Sequence, residues 1–299
     1  MSPASQVIAQ LRALGQPFTP AQMVATREIL APRVARPDAS RCAVQRDVAY
    51  GPDARHRLDV FVPVGAPAAA LRPVFVFVHG GGFVQGDKGT ADAPFYNNVG
   101  AWAVAQGFVG VTMTYRLAPA HPWPAGSADI DRAIAWLHAN IAAQGGDPQR
   151  IVLCGQSAGA VHVAGYLARH GSPAQSPLQV AAAVLVSGIY DLSLVHSSPM
   201  HEAYYGADRS SDAARSTLPA LVAARLPCLY VICENDPVEF QRQAARVVEA
   251  CFAQRQQWPH YLYLDGHNHL SSVLQVGSDV DTLGPQMAQF MAQHVGVPT

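Results

Sequence analysis

The chain has 299 residues, of which 49% are hydrophobic and 14% are charged, and this composition favours a large buried core and excludes a disordered chain. Its formal net charge is -1 and it has no basic run, so nucleic acid and anionic membrane surfaces are not expected as partners. The five cysteines are scattered without a C-x-x-C pair, which predicts buried thiols in a reducing compartment.

Residues 1–45 are predicted to form an N-terminal helical segment. Apolar side chains recur at helical spacing between Val7 and Leu14, and Thr19-Pro20 is typical of the start of a second helix. The first residues lack the basic and apolar pattern of a signal peptide, so we expect a cytoplasmic protein. No uninterrupted apolar run is long enough for a membrane span, and none is expected.

Eight strand-like runs follow, and the later ones alternate with helix-like segments. The runs are CAVQRDVAY, HRLDVFVP, PVFVFVHG, FVGVTMTY, RIVLCG, VAAAVLVSG, CLYVICEN and HYLYLDG. The first runs are close enough for hairpins, whereas the later alternation predicts parallel strands covered by helices. We therefore predict an α/β fold over residues 46–299, with a mostly parallel eight-stranded sheet and antiparallel strands at its N-terminal edge.

The stretch GQSAG, from Gly155 to Gly159, lies between a predicted strand and a predicted helix. A sharp turn at this point strains the backbone of the central residue and requires small neighbours two positions away. It leaves the Ser157 hydroxyl exposed above the sheet, which is the geometry of a nucleophile elbow. The alternative is an ordinary strand-to-helix loop with two glycines.

The stretch HGGGF, from His79 to Phe83, follows another predicted strand. Backbone N–H groups of such a loop are able to stabilise an oxyanion, because glycine has no Cβ to block their approach. A flexible glycine loop and a phosphate-binding loop that uses Lys88 are the alternatives. The phosphate loop is disfavoured because Asp87 separates Lys88 from the preceding glycine and Gly89 follows it.

Three motifs carry a family resemblance. In this order, HGGGF, YRLAPAHPWPA (Tyr115–Ala125) and GQSAGA resemble the hormone-sensitive-lipase-like branch of the α/β-hydrolase carboxylesterases, over roughly residues 45–295. The resemblance implies an α/β-hydrolase fold with an N-terminal helical cap. It also implies that the backbone N–H groups of Gly81, Gly82 and Ala158 form the oxyanion hole, and that His79 braces the glycine loop.

Two details limit how far this resemblance extends to the substrate. Ala120 stands where relatives often carry Glu. SGIYDLS and HEAYYG are similar to stretches of bacterial arylformamidases, but that resemblance is partial. The arylformamidase glycine loop usually has an aromatic residue at the position of Gly82 or Phe83.

A nucleophilic serine needs a histidine base and a carboxylate that orients it, and in this fold the chain order is Ser, acid, His. Asp236 is the predicted acid, because it follows the apolar strand CLYVICEN and precedes Pro237. Glu234 and Glu239 are the alternatives, and each is more typical of a solvated loop residue.

Two histidines, His267 and His269, follow the last predicted strand. We predict that His269 is the base, because Leu270 follows it as the bulky apolar residue that begins the last helix in the family. His267 is expected at the tip of a turn with its side chain directed to water. A metal site formed by both histidines and Asp265 is the alternative, but no further ligand cluster is evident and no metal or cofactor is expected.

These residues predict a serine hydrolase that cleaves small, short-acyl carboxylic esters through a Ser157–His269–Asp236 triad and an acyl-enzyme. The expected partner is a small-molecule ester, and a homodimer is left open. Phe18, Met23 and Trp123 are candidate pocket walls. An arylformamidase that uses the same triad is one alternative, and a ligand-binding receptor on the same fold is another.

Overall fold

The computed structural model describes residues 2–65, 71–170 and 180–296, which contain an eight-stranded sheet. The strands are β1 (Cys42–Ala49), β2 (Arg57–Pro63), β3 (Arg72–Val78), β4 (Val109–Met113), β5 (Gly146–Gln156), β6 (Ala182–Val186), β7 (Cys228–Asn235) and β8 (His260–Asn268). Their order in the sheet is β1-β2-β4-β3-β5-β6-β7-β8.

β1 pairs with β2, and β2 with β4, in antiparallel register, whereas all pairs from β4 to β8 are parallel. The predicted eight strands, their mostly parallel sheet and the antiparallel N-terminal edge are therefore confirmed.

The described α-helices lie between and beside these strands. They are α1 (Pro3–Ala13), α2 (Pro20–Leu30), α3 (Asn97–Ala105), α4 (Ala125–Asn140), α5 (Ala158–His170), α6 (Pro199–Tyr205), α7 (Asp212–Arg215), α8 (Leu218–Ala223), α9 (Val238–Arg255), α10 (Ser271–Leu274) and α11 (Gly284–His294). None of the described helices is long and apolar enough to cross a membrane.

The sheet is buried on both faces, as the sequence of β3 illustrates. Val74, Val76 and Val78 pack in the core beneath helices α4, α5, α8 and α9. Phe75 and Phe77 point to the opposite core, beneath α3 and α11. An unbroken apolar run is what a central parallel strand requires, because its alternate side chains face two layers of helices.

The N-terminal helices are well capped and lie near the end of β8. Ser2 caps α1, and Thr19 forms a capping box with Gln22 at the start of α2. The apolar sides of both helices pack against Leu270 and Leu274. Residues that follow β8 are therefore covered by the N-terminal segment. The predicted division of the chain at residue 45 stays a prediction, and β1 already begins before it.

Candidate active site

Ser157 lies at the sharp turn between β5 and α5. Its φ of 55° is in the left-handed region, which a non-glycine residue rarely adopts. A Cβ added at Gly159 would lie 2.1 Å from the carbonyl oxygen of Val78, and one at Gly155 would lie 2.5 Å from backbone atoms of Gly159. The turn is therefore the predicted elbow, and both of its glycines are required by close backbone packing.

The structure brings the predicted nucleophile, base and acid together in one hydrogen-bonded chain. His269 Nε2 is 2.8 Å from Ser157 Oγ, and His269 Nδ1 is 2.5 Å from Asp236 Oδ1. His269 and Asp236 are buried. Because the carboxylate accepts a hydrogen bond from Nδ1–H, that proton stays on Nδ1 and Nε2 is left free to accept the serine proton.

The Asp236 carboxylate is fixed through both of its oxygens. Its Oδ2 accepts hydrogen bonds from the Ser187 hydroxyl and the Cys233 N–H, each at 2.7 Å. Ser187 follows β6, the strand between those that carry Ser157 and Asp236. Sequence reasoning missed Ser187, although its place directly after an apolar strand was a usable signal.

The two alternative acids lie in other contacts. Glu234 accepts a hydrogen bond from Arg12 Nε at 3.1 Å and one from the Gly266 N–H at 2.6 Å. Glu239 accepts a hydrogen bond from the backbone N–H of His196 at 3.2 Å. Neither of them has a hydrogen bond to His269 among the described residues.

The imidazole of His269 is flanked by two aromatic rings. The Phe18 ring lies edge-on, with its centroid 4.8 Å away, and the Phe240 centroid lies 4.4 Å away on a tilted ring. The Gln156 side-chain amide donates to the carbonyl oxygen of His269 at 2.9 Å. Sequence reasoning missed Phe240 and Gln156, which contact His269 only after folding.

The expectation for His267 was wrong. His267 is fully buried instead of directed to water. Its Nδ1 is 3.1 Å from Ser271 Oγ and its Nε2 is 2.9 Å from Thr282 Oγ1. β8 continues through Asn268, so His267 belongs to a covered strand end instead of a turn. Burial lowers the pKa of His267 to about 4.

The two histidines therefore have separate surroundings, and His269 alone faces Ser157. Within residues 2–65, 71–170 and 180–296, no three His, Cys, Asp or Glu side chains are grouped closely enough to hold a metal ion.

The glycine loop after β3 closely approaches Ser157. Gly81 and Gly82 have φ values of 129° and 59°. A Cβ at Gly80 would lie 3.1 Å from the Cβ of Ser157, and one at Gly81 would lie 2.0 Å from the carbonyl oxygen of Gln85. The loop thus needs glycine in order to fold this close to the serine. The oxyanion role of Gly81, Gly82 and Ala158 stays a prediction.

Buried side chains hold this loop at both ends. His79 Nδ1 is 2.6 Å from the Gly80 carbonyl oxygen, and its ring stacks on Tyr115 with 4.4 Å between centroids. At the far end, Lys88 Nζ lies 2.8 Å from Asp47 and 2.9 Å from Asp59. Lys88 therefore anchors the loop to the antiparallel edge, in an ion-pair network instead of a phosphate site.

The three candidate pocket walls lie in different surroundings. Phe18 borders His269, as described above, and is 43% exposed. Met23 packs against the apolar cluster beneath the N-terminal helices. Trp123 is 41% exposed, and the Arg215 guanidinium lies 5.0 Å from the centre of its ring. Their contact with substrate stays a prediction.

Solved structures with similar folds include several esterases. Esterase B from Lactobacillus rhamnosis superimposes with a TM-score of 0.74 and 17% identity over 96% of both chains. An esterase of the bacterial hormone-sensitive lipase family gives a TM-score of 0.69 with 22% identity over 99% of both chains. At these identities the likeness establishes the fold, which is that of the α/β-hydrolases.

Similarity in sequence is closer but covers less of each relative. Esterase LipQ of Mycobacterium tuberculosis is 34% identical over 179 residues, which are 57% of this chain and 41% of LipQ. Carboxylesterase NlhH of the same organism is 46% identical over 88 residues, 29% of this chain and 26% of NlhH. The matches thus span less than half the length of these relatives. They confirm the predicted resemblance to hormone-sensitive-lipase-like α/β-hydrolases.

A family model extends this similarity through most of the sheet. The BD-FAE model matches residues 58–251, from the second residue of β2 into the last part of α9. This segment includes the glycine loop, the turn at Ser157 and the predicted acid Asp236, and it is well over half of the chain. The chain therefore belongs to the BD-FAE family.

Proposed function

We propose that the protein is a serine carboxylesterase for small esters with short acyl chains. The observation that carries this proposal is the hydrogen-bonded chain from Ser157 Oγ through His269 to Asp236, at 2.8 and 2.5 Å. The esterase names of the relatives described above support it.

In the first half of the reaction, Ser157 Oγ attacks the ester carbonyl carbon while His269 Nε2 takes the hydroxyl proton. The tetrahedral intermediate collapses, the bond to the alkoxy oxygen breaks, and His269 returns its proton to the departing alcohol. Asp236 keeps the other imidazole proton on Nδ1 and stabilises the imidazolium. Its own orientation is held by Ser187 and Cys233.

In the second half, water enters the place of the alcohol and loses a proton to His269 as it attacks the acyl-enzyme. The carboxylic acid leaves, and Ser157 regains its proton. In both halves the backbone N–H groups of Gly81, Gly82 and Ala158 stabilise the negative oxygen. Apart from the ester and the water, this chemistry needs only groups that the chain itself supplies.

A preference for short acyl chains follows from the size of the N-terminal segment. α1 and α2 have 11 residues each, so the N-terminal segment is a compact cap. Together with the resemblance to the hormone-sensitive-lipase-like carboxylesterases, this compact cap leads us to expect acyl chains of about two to eight carbons.

The test is an acyl-length series of p-nitrophenyl esters, with N-formylkynurenine and a formanilide measured beside it. Esterase function predicts that kcat/KM for butyrate exceeds that for either amide by about 100-fold or more. Faster cleavage of N-formylkynurenine would establish an arylformamidase. Tight binding of esters without turnover would instead indicate a receptor.

A further inference from the structure

We propose that two exposed side chains divide the substrate between them: Met200 contacts the acyl chain and Phe18 contacts the leaving alcohol. This inference rests on the proposed esterase function and assigns the two sides of its site. The observations behind it are the positions of Met200 and Phe18 relative to Ser157.

The sheet order defines two sides of Ser157. Ser157 follows β5, and the glycine loop follows β3, which is the neighbour of β5 on one side. Asp236 and His269 follow β7 and β8, which lie on the other side. The glycine loop and the catalytic base therefore flank the nucleophile from opposite directions.

The leaving alcohol must lie on the His269 side, because its oxygen receives the proton from Nε2. Phe18, in the connection between α1 and α2, is the exposed aromatic residue against that imidazole. Its centroid is 4.8 Å from that of His269, and 43% of the residue is exposed. An alcohol bound beside His269 therefore meets this ring, which favours an apolar or aromatic group.

The acyl chain leaves the tetrahedral carbon in another direction, away from the base, and our proposal places it beside the glycine loop. Met200, the second residue of α6, lies there. Its Sδ is 2.2 Å from where a Cβ on Gly82 would be, so the thioether fills the space above that glycine. Met200 is also 45% exposed. Its flexible apolar side chain suits a linear aliphatic acyl group.

Helix α6 is firmly attached to the glycine loop, so Met200 is held as a wall. The Tyr204 ring stacks on Phe83 with 4.5 Å between centroids and 6° between planes. The backbone N–H of Trp123 donates a hydrogen bond to the Tyr204 carbonyl oxygen at 2.8 Å. Ser198 caps the start of the helix, one residue before Pro199.

Two ester panels test this assignment. The first varies the acyl group in p-nitrophenyl acetate, butyrate and octanoate. The second varies the alcohol in ethyl, butyl and benzyl acetate, whose alcohols have similar acidity. Each variant is compared by ratios of kcat/KM within a panel, which removes general losses of activity. Phe252→Ala is the matched control, because Phe252 is 52% exposed near the far end of α9.

We expect Met200→Phe to lower the octanoate-to-acetate ratio about tenfold, and Met200→Ala to raise it, with the alcohol panel unchanged within about twofold. Phe18→Ala should lower the benzyl-to-ethyl ratio by about fivefold or more and leave the acyl panel unchanged. The control should move neither ratio.

Reversed effects, or ratios that stay constant in the Met200 and Phe18 variants, would overturn the assignment. The wild type separates this result from failure of the proposed function. If the wild type cleaves no ester of either panel, the esterase proposal itself is wrong. If it cleaves them and the ratios do not respond, only the two-sided assignment fails.

Discussion

The Asn268 side-chain amide donates a hydrogen bond to the Thr26 hydroxyl at 2.9 Å, which joins helix α2 directly to the segment that carries His269. The amide oxygen of Asn268 in turn accepts from the N–H groups of Leu270 and Ser271, at 3.1 and 3.0 Å. Thr26 and Asn268 are both buried. The N-terminal segment thus positions the residues on both sides of the predicted base.

Thr26→Val should therefore lower kcat about tenfold and leave KM nearly unchanged. Valine has the same shape but leaves the buried Asn268 amide without this acceptor, which loosens the segment around His269. Thr26→Ser, which keeps the hydroxyl, should retain near wild-type kcat. Steady-state kinetics and thermal unfolding of both variants provide the measurement. Equal kcat in the valine and serine variants would contradict a positioning role.

Ser157→Ala should abolish ester hydrolysis, with a loss of at least about 10³-fold in kcat, because no other group supplies the nucleophile. The fold should be intact, since alanine removes only the hydroxyl. Circular dichroism tests the fold. A serine-directed organophosphate should label Ser157 in the wild type, as mass spectrometry of its peptides would reveal. Labelling of a different serine would refute this assignment.

We expect His269→Ala to lower mainly kcat, and His267→Ala to lower mainly thermal stability. His269→Ala should lower kcat by about 10³-fold or more, because it removes the base bonded to Ser157. His267→Ala should cost no more than about tenfold in kcat but should lower the thermal midpoint, because it leaves a cavity and removes the hydrogen bonds of the imidazole with the Ser271 and Thr282 hydroxyls. The opposite pattern of kcat losses would exchange their roles.

Stability should fall as the pH decreases from about 6.5 towards 4. Burial lowers the pKa of His267 to about 4 and those of His79 and His162 to about 3. The unfolded chain takes up protons near pH 6.5, where the folded chain does not, so acid favours unfolding. Each such histidine lowers the free energy of unfolding by about 2 kcal/mol between pH 7 and pH 5.

Urea unfolding at those two pH values measures this effect, and His267→Gln isolates one contribution. Glutamine does not titrate. Between pH 7 and pH 5 the free energy of unfolding of this variant should therefore fall by about 2 kcal/mol less than that of the wild type. An undiminished pH dependence in the variant would show that His267 is not the group responsible.

Features coded in short stretches of sequence were predicted well. The sharp turn at Ser157 depends on glycines two residues away, and the position of Asp236 follows directly from a strand end, while the catalytic roles of both residues stay predictions. The eight strands were evident because each is a short apolar run between polar or glycine-rich segments. In these places the local chemistry of the chain is sufficient to determine the structure.

Features that depend on distant packing were not predicted. The prediction for His267 was wrong because one of the residues that contact its imidazole is Thr282, which is 15 residues away in the sequence. Ser187 reaches Asp236 across 49 residues, and Gln156 reaches His269 across 113. No local pattern encodes such contacts, since they arise from which strand ends are neighbours in the folded sheet.

Ser157 has a left-handed backbone conformation. At this position the stability of the fold favours glycine, whereas the proposed catalysis requires serine. Glycine adopts such a φ freely, whereas serine carries a cost of roughly 1–2 kcal/mol. Laboratory evolution for heat resistance alone would therefore tend to accept glycine at 157, which would remove the proposed nucleophile. A useful stabilising library would leave this residue untouched and seek its gains in exposed positions remote from the elbow, such as Trp258, which is 66% exposed.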